Sequence, residues 1–211
     1  MPELCRICQT RRARRHCPGI EGEICSLCCG DQREVNINCP LDCVFLEEAR
    51  LHEKPLQIDR EAIPHQDIRL SEEWLRDHEE LVLFCSFTLA DAALRTPGAT
   101  DTDVLSALEA LIRTYRTLES GLVYQTKPDD RVGAAVQEKF ERSLADFQKE
   151  RSSREGLLPF RDADILACLA FLERSALAQR NGRVRGRAFV DFLRRKLSVP
   201  LPQKPANLLV T

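Results

Sequence analysis

Eight cysteines fall within the first 43 residues: Cys5, Cys8, Cys17, Cys25, Cys28, Cys29, Cys39 and Cys43. Cys5-x2-Cys8 and Cys25-x2-Cys28 are separated by sixteen residues, which reads as C-x2-C-x16-C-x2-C. Two intervening residues let a tight turn aim both sulfurs at one ion. Two such turns complete a tetrahedron with zinc–sulfur bonds of about 2.3 Å. Cys28 and Cys29 are neighbours, so their side chains diverge. Cys29 is therefore assigned with Cys17, Cys39 and Cys43 to a second ion. Cys17 lies in sequence between the two halves of the first site, so the sites interleave as a cross-brace. The expected cofactor is zinc, two ions. Cys29 in place of Cys28 at the first site, and His16 in place of a cysteine, are competing assignments. Four thiolates per ion leave no position for water, which points to structural rather than catalytic zinc. One zinc with spare thiols, a redox disulfide and an iron–sulfur cluster are the alternatives. The ferredoxin spacing C-x2-C-x2-C is absent.

Cys5-x2-Cys8, His16-Cys17-Pro18 and Cys25-Ser26-Leu27-Cys28-Cys29 together resemble the HIT-type zinc finger, a small cross-braced double-zinc module. The resemblance covers roughly the first forty residues. It departs at two places: the family pattern asks for a cysteine at Ile20 and a histidine near Arg33. Cys28, Cys39 and Cys43 would take over. The resemblance implies a role in protein–protein contacts within assemblies.

Arg11, Arg12, Arg14 and Arg15 lie between the knuckles. They suit phosphate, or they balance the zinc sites, since an ion with four thiolates carries a formal charge of about −2. Residues 1–50 hold seven Arg against eight Asp or Glu, which favours balance. A second basic stretch runs from Arg180 to Lys196. Its Arg183, Arg185 and Arg187 precede a helix start whose N–H groups suit an anion, and Gly182 and Gly186 would admit one closely.

The elements that position these residues follow from composition and periodicity. The chain has 211 residues, 43% hydrophobic and 30% charged, with net charge −2. That balance indicates neither a nucleic-acid nor a membrane protein as a class. No signal peptide or spanning segment is read, and dense cysteines without disulfides fit a cytoplasmic location. Residues 1–53 are a cysteine-rich zinc-binding domain too short to bury a core without metal. Residues 54–70 read as a linker, packed by Ile58, Ile63 and Ile68. Residues 71–198 read as a bundle of about five α-helices, and 199–211 as a proline-containing tail. The fold class is mainly α.

The helix starts are Ser71, then Thr100 or Asp101, then positions after Pro128, near Asp162 and before Phe189. Leu122 and Tyr124 are placed on the second helix, with Gly121 allowing close packing. Val44, Phe45 and Leu46 start a helix off the second zinc site and are expected to dock the finger on the bundle. His78 reads as a core-edge histidine. Cys85 and Cys168 read as small buried hydrophobes, relevant to redox chemistry only if the fold brings them together.

The expected function is a non-enzymatic zinc-binding protein whose finger and bundle act as a protein-interaction, adaptor or regulatory module. The expected partner is a protein, with self-association as a further option. One alternative is a nucleic-acid-binding regulator using Arg11–Arg15 and Arg180–Lys196. A second is an enzyme or redox protein with the bundle as its catalytic part.

Overall fold

The computed structural model describes residues 3–53, 56, 60–154 and 157–202. Ile58 and the tail beyond residue 202 lie outside the described residues. The N-terminal finger holds an antiparallel hairpin, β1 (Arg15–Cys17) and β2 (Gly22–Ile24), with Arg15 opposite Ile24. An antiparallel bridge sets Leu4 opposite Arg12. Helix α1 (Ser26–Gln32) begins at the second knuckle, where the Cys25 sulfur accepts the Cys28 N–H at 3.4 Å. Helix α2 (Val44–His52) begins at Cys43. The buried apolar cluster of the finger consists of six cysteines with Ile24, Ile37, Leu41 and Leu46. Its core is thus mostly thiol.

The rest is mainly helical: α3 (Glu72–Asp77), α4 (Glu79–Leu94), α5 (Asp101–Glu119), α6 (Arg131–Ser153), α7 (Asp162–Gln179) and α8 (Ala188–Leu197). A single 3-10 turn, Arg60–Ala62, precedes them. Helices α4, α5 and α7 carry the centre of the core, through Leu81, Leu89, Leu108, Leu111, Ile165 and Leu169. The expected bundle is present, with eight helices in all among the described residues.

The helix expected from Ser71 is two helices. Ser71 caps α3 by accepting the Trp74 N–H at 3.0 Å. At His78 the backbone leaves helical geometry, and the imidazole stacks on Trp74 while its Nδ1 lies 2.9 Å from the Trp74 carbonyl oxygen. The Trp74 carbonyl still accepts the His78 N–H at 3.0 Å, and the break lies in the non-helical backbone of His78, at φ −113° and ψ 22°. Thr100 caps α5 in a full capping box with Asp103. That helix ends at Glu119. Gly121 has φ +80°, which supplies the left-handed turn, and it meets nothing nearby. Leu122 and Tyr124 therefore lie beyond the helix and are 64% and 67% exposed, against expectation.

Of Val44, Phe45 and Leu46, expected to dock the finger, Leu46 is buried in the finger's cluster, against which Leu94 of α4 and Leu201 also pack, while Phe45 lies under Arg15 and Val44 is exposed. The polar part of the join centres on Glu34, which is fully buried. One oxygen of its carboxylate accepts from Arg50 Nη2 at 2.8 Å and from the Arg187 N–H at 3.0 Å. The other accepts from Asn181 Nδ2 at 2.8 Å. Its carbonyl accepts the Arg185 N–H at 2.8 Å. Arg50 also sits 3.2 Å from buried Asp191, which pairs in turn with Arg194 and Arg195. Arg183 donates to the Arg33 carbonyl at 2.5 Å, and Arg187 to the Cys39 carbonyl.

Because Glu34 is the finger's buried anion at this join, Glu34→Ala removes the acceptor of the Arg187 N–H and leaves Arg50 and Asn181 with the longer contacts to Glu53 and Asp191. The expected loss is about 3 kcal/mol of unfolding free energy. Urea denaturation of the zinc-loaded protein measures it, and a loss below about 1 kcal/mol would show that the join is not set by this carboxylate.

Candidate metal centre

The two knuckles bring Cys5, Cys8, Cys25 and Cys28 together. One sulfur from each lies within 4.8 Å of the other three. A tetrahedral ion with bonds of about 2.3 Å needs sulfurs about 3.8 Å apart, so the quartet is already gathered for one. Cys5, Cys25 and Cys28 are buried and Cys8 is half-buried. The first knuckle closes through the Gln9 N–H on the Cys5 carbonyl at 2.8 Å, with Gln9 at φ +54°. The quartet contains Cys28 and not Cys29. Among the described residues, this is the group of three or more ligand-type side chains gathered so closely.

The four thiols are electrostatically unequal. Cys8 is held down at about 5, by the Thr10 hydroxyl and then by the N–H groups of Thr10 and Arg11. Burial pushes Cys5 up, but N–H donors from Cys8, Cys25 and Ile7 outweigh it and lower the thiol. Cys28 is pushed up to about 12, by burial and then by the crowding of Cys25, Cys8 and Cys5. Four adjacent thiolates cannot coexist without a cation between them, and a divalent soft metal supplies that charge. The guanidinium of Arg11 is raised by its bond to the Cys25 sulfur, after which burial opposes and the charges of Cys8 and Cys28 assist.

Cys17, Cys29, Cys39 and Cys43 line one small cavity together with Arg15, Ile24, Arg33, Ile37 and Phe45. Burial pushes the Cys39 thiol up. The neighbouring Glu34 N–H opposes this, and the charges of Glu34, Cys17 and Cys43 add to it. Arg15 donates to the Cys29 sulfur at 3.5 Å while its guanidinium lies 4.4 Å above the Phe45 ring. His16 turns outward to Glu23, Nδ1 to Oε1 3.0 Å, with its side chain 66% exposed. The residue lines the same cavity as the four thiols, with its imidazole engaged by Glu23.

The arginines singled out in the sequence divide by direction. From Arg12 to Cys17 exposure alternates: Arg12, Arg14 and His16 face solvent, while Ala13, Arg15 and Cys17 face inward. Arg11 and Arg15 serve sulfurs; Arg12 and Arg14 do not. In the second stretch Arg183 and Arg187 donate to finger carbonyls, and Arg185 is exposed. The anion expected at the start of α8 comes from the chain itself: Asp101 accepts the N–H groups of Phe189 and Val190 at 3.0 and 3.1 Å. Burial raises Asp101 to about 6, against those two donors.

In the helical part, Cys85 and Cys168 do meet. Both are fully buried, and Cys168 is raised well above the ordinary thiol range by Cys85 beside it and then by burial. A polar cluster that the sequence did not reveal holds residues 64–68 against α5 and α7. Arg174 donates to the carbonyls of Pro64, His65 and Ile68, and Arg116 to Asp67. His65 Nε2 lies 3.2 Å from Glu173. Burial, then the charge of Glu109, raises Glu173 to about 7, with Arg174 opposing. Its parts are 49 to 110 residues apart in sequence, so no local pattern announces them.

No family model, curated protein or solved structure matches the chain. The zinc-finger-like character therefore rests on the thiol quartet itself. Among the described residues no helix is long and apolar enough to cross a membrane.

Two outcomes follow. Arg11→Ala should weaken zinc retention at the quartet about tenfold, by removing a donor to sulfur, while Arg12→Ala and Arg14→Ala leave it unchanged. Competition with a chromogenic chelator reads this directly. Glu173, raised from 4.5 to about 7, contributes stability that is complete below about 4.5 and lost as pH rises through about 7. Glu173→Gln should thus gain on the wild type across that interval and hold a constant advantage above it. Denaturation midpoints at successive pH values would show no such trend if Glu173 titrated normally.

Proposed function

We propose that the chain is a non-enzymatic double-zinc protein, with finger and helical body forming one rigid protein-interaction module. The observation that carries this reading is the thiol quartet. Four cysteine sulfurs fill a tetrahedral ion, so an ion there holds shape and has no open position for substrate or water. Shape is what a binding surface needs from a metal. The join through Glu34, Arg50 and Asp191 then makes the finger and the helices one body, so a partner meets a fixed surface.

The second zinc is proposed at Cys17, Cys29, Cys39 and Cys43. The shared cavity, the influence of Cys17 and Cys43 on Cys39 and the Arg15 donor at Cys29 support it. The exposed run Leu122, Val123 and Tyr124, with Val123 94% exposed, supports an interaction role, because such an apolar run gains by being covered. The nucleic-acid reading loses support from the engagement of Arg11, Arg15, Arg183 and Arg187 inside the protein.

Elemental analysis beside native mass spectrometry is the first test. Two zincs are expected per chain, one after Cys17→Ser/Cys39→Ser and one after Cys5→Ser/Cys8→Ser. Crosslinking in the cells that make the protein should then capture a protein partner in stoichiometric amount. A wild-type chain that retains one ion would remove the second site. One that captures no partner would remove the interaction role.

A further inference from the structure

The outward face of the finger's small sheet is not used by the fold. Leu4 stands directly opposite Arg12, so the two project to the same side. Arg14 follows on that side by the strand's alternation. Arg12 and Arg14 are exposed, and among the described residues no ion pair links either to a carboxylate. Leu4 is 55% exposed beside them. Arg6 flanks the face and reaches across to the Glu21 carbonyl at 2.9 Å.

The face is also rigid. Residues 11–13 bond residues 3–5 on one edge, and residues 14–17 bond β2 on the other. Cys5 and Cys8 of the quartet lie immediately before this segment, and Cys17 ends it.

We propose that this face docks an extended acidic segment of a partner protein, a reading that rests on the interaction role proposed above and names its surface. Arg12 and Arg14, two residues apart on the backbone that leads into β1, stand about 7 Å apart if it is extended. Same-side residues of an extended peptide repeat at the same spacing. Carboxylates on alternate residues of such a segment meet the two guanidiniums in turn, each in charge-assisted hydrogen bonds. Around Arg12 and Arg14 the backbone already bonds residues 3–5 through Arg11 and Ala13, and Ile24 through Arg14, so the segment lies across the face there.

Single-stranded nucleic acid fits less well. Residues 3–53 hold one aromatic ring of Phe, Tyr or Trp type, Phe45, and Arg15 covers it. The exposed ring nearest the face is His16, whose imidazole is held by Glu23, a carboxylate that repels phosphate. Acidic side chains outnumber basic ones in residues 1–50, eight to seven. That balance suits short-range pairing with a few carboxylates better than long-range attraction to a polyphosphate.

The test uses the zinc-loaded full chain and a fluorescent ten-residue peptide alternating glutamate and leucine, followed by anisotropy at low salt. Saturable binding is expected, with little binding of the glutamine version. R12E/R14E should weaken it at least about tenfold, while R180E/R185E, an equal change of charge on exposed arginines elsewhere, should leave it within about twofold. Zinc content and circular dichroism confirm that each variant is folded. R12Q/R14Q, which adds no negative charge, should weaken binding in the same direction.

Equal weakening by both charge pairs would overturn the proposal. So would tighter binding of a twelve-nucleotide RNA through the same arginines, or a self-association lost in R12E/R14E. If the wild type captures its cellular partner and R12E/R14E captures it equally, this face is wrong and the interaction role stands. If the wild type captures none, the interaction role itself has failed.

Discussion

Glu34 is the constraint that the rest of the architecture is arranged around. It is fully buried, non-glycine and at φ +51°, a left-handed conformation that costs about 1 kcal/mol for a residue with a side chain. The conformation persists because four donors from α2 and the α7–α8 connection converge on its oxygens. A buried carboxylate without that company would take up a proton or pull the structure open. Arg50 balances it, Asp191 balances Arg50, and Arg194 and Arg195 carry the chain of charges to the surface. A hydrophobic patch would bury the same area without selecting an orientation. Directional bonds to both the side chain and the carbonyl of one residue admit only one docking geometry.

A metal at the proposed site of Cys17, Cys29, Cys39 and Cys43 would deliver that geometry. Glu34 lies between Cys29 and Cys39, in a stretch with little apolar content of its own. The finger's buried cluster is more thiol than hydrocarbon, so its cohesion depends on what the thiols hold. The Arg187 side chain bonds the Cys39 carbonyl while its backbone N–H bonds Glu34. One residue of the helical body thus holds both the cysteine-rich loop and its buried anion. Order in the cysteine-rich loop and docking order are coupled through covalent neighbours, without any long path between them.

What could be read from the sequence was local. The C-x2-C pairs at fixed separation placed four sulfurs correctly, because knuckle geometry needs only a few bonds. Ser71 and Thr100 act as caps for the same reason: a cap acts within three residues. His78 broke a helix that periodicity would continue, since stacking on Trp74 leaves no trace in an apolar pattern. Leu122 matched a helical stripe that Gly121 had already ended. Glu34, Asp101 and Asp191 looked like ordinary surface acids. Their burial comes from partners 16 to 153 residues away in the case of Glu34, and 88 and 89 residues away for Asp101.

The arginines carry the same lesson further. As a block, Arg11 to Arg15 looked like one basic patch, because identical charges hide an alternation that mixed residues would display. The strand separates them by side: one set on sulfur and ring, the other on solvent. The first 53 residues contain seven arginines and no lysine. Codon usage alone would produce that bias, but the fold gives it a physical use. A planar guanidinium can lie flat on Phe45 while donating to the Cys29 sulfur, as Arg15 does, and can serve a carboxylate and two further acids at once, as Arg50 does. An ammonium buried among the same groups would present a single point of charge and, lacking the fork, would leave carbonyls such as that of Cys39 without a donor. The choice of arginine is thus tied to burial beside soft sulfurs and carbonyls. The same residue type facing outward, at Arg12 and Arg14, keeps its full donor set for a partner.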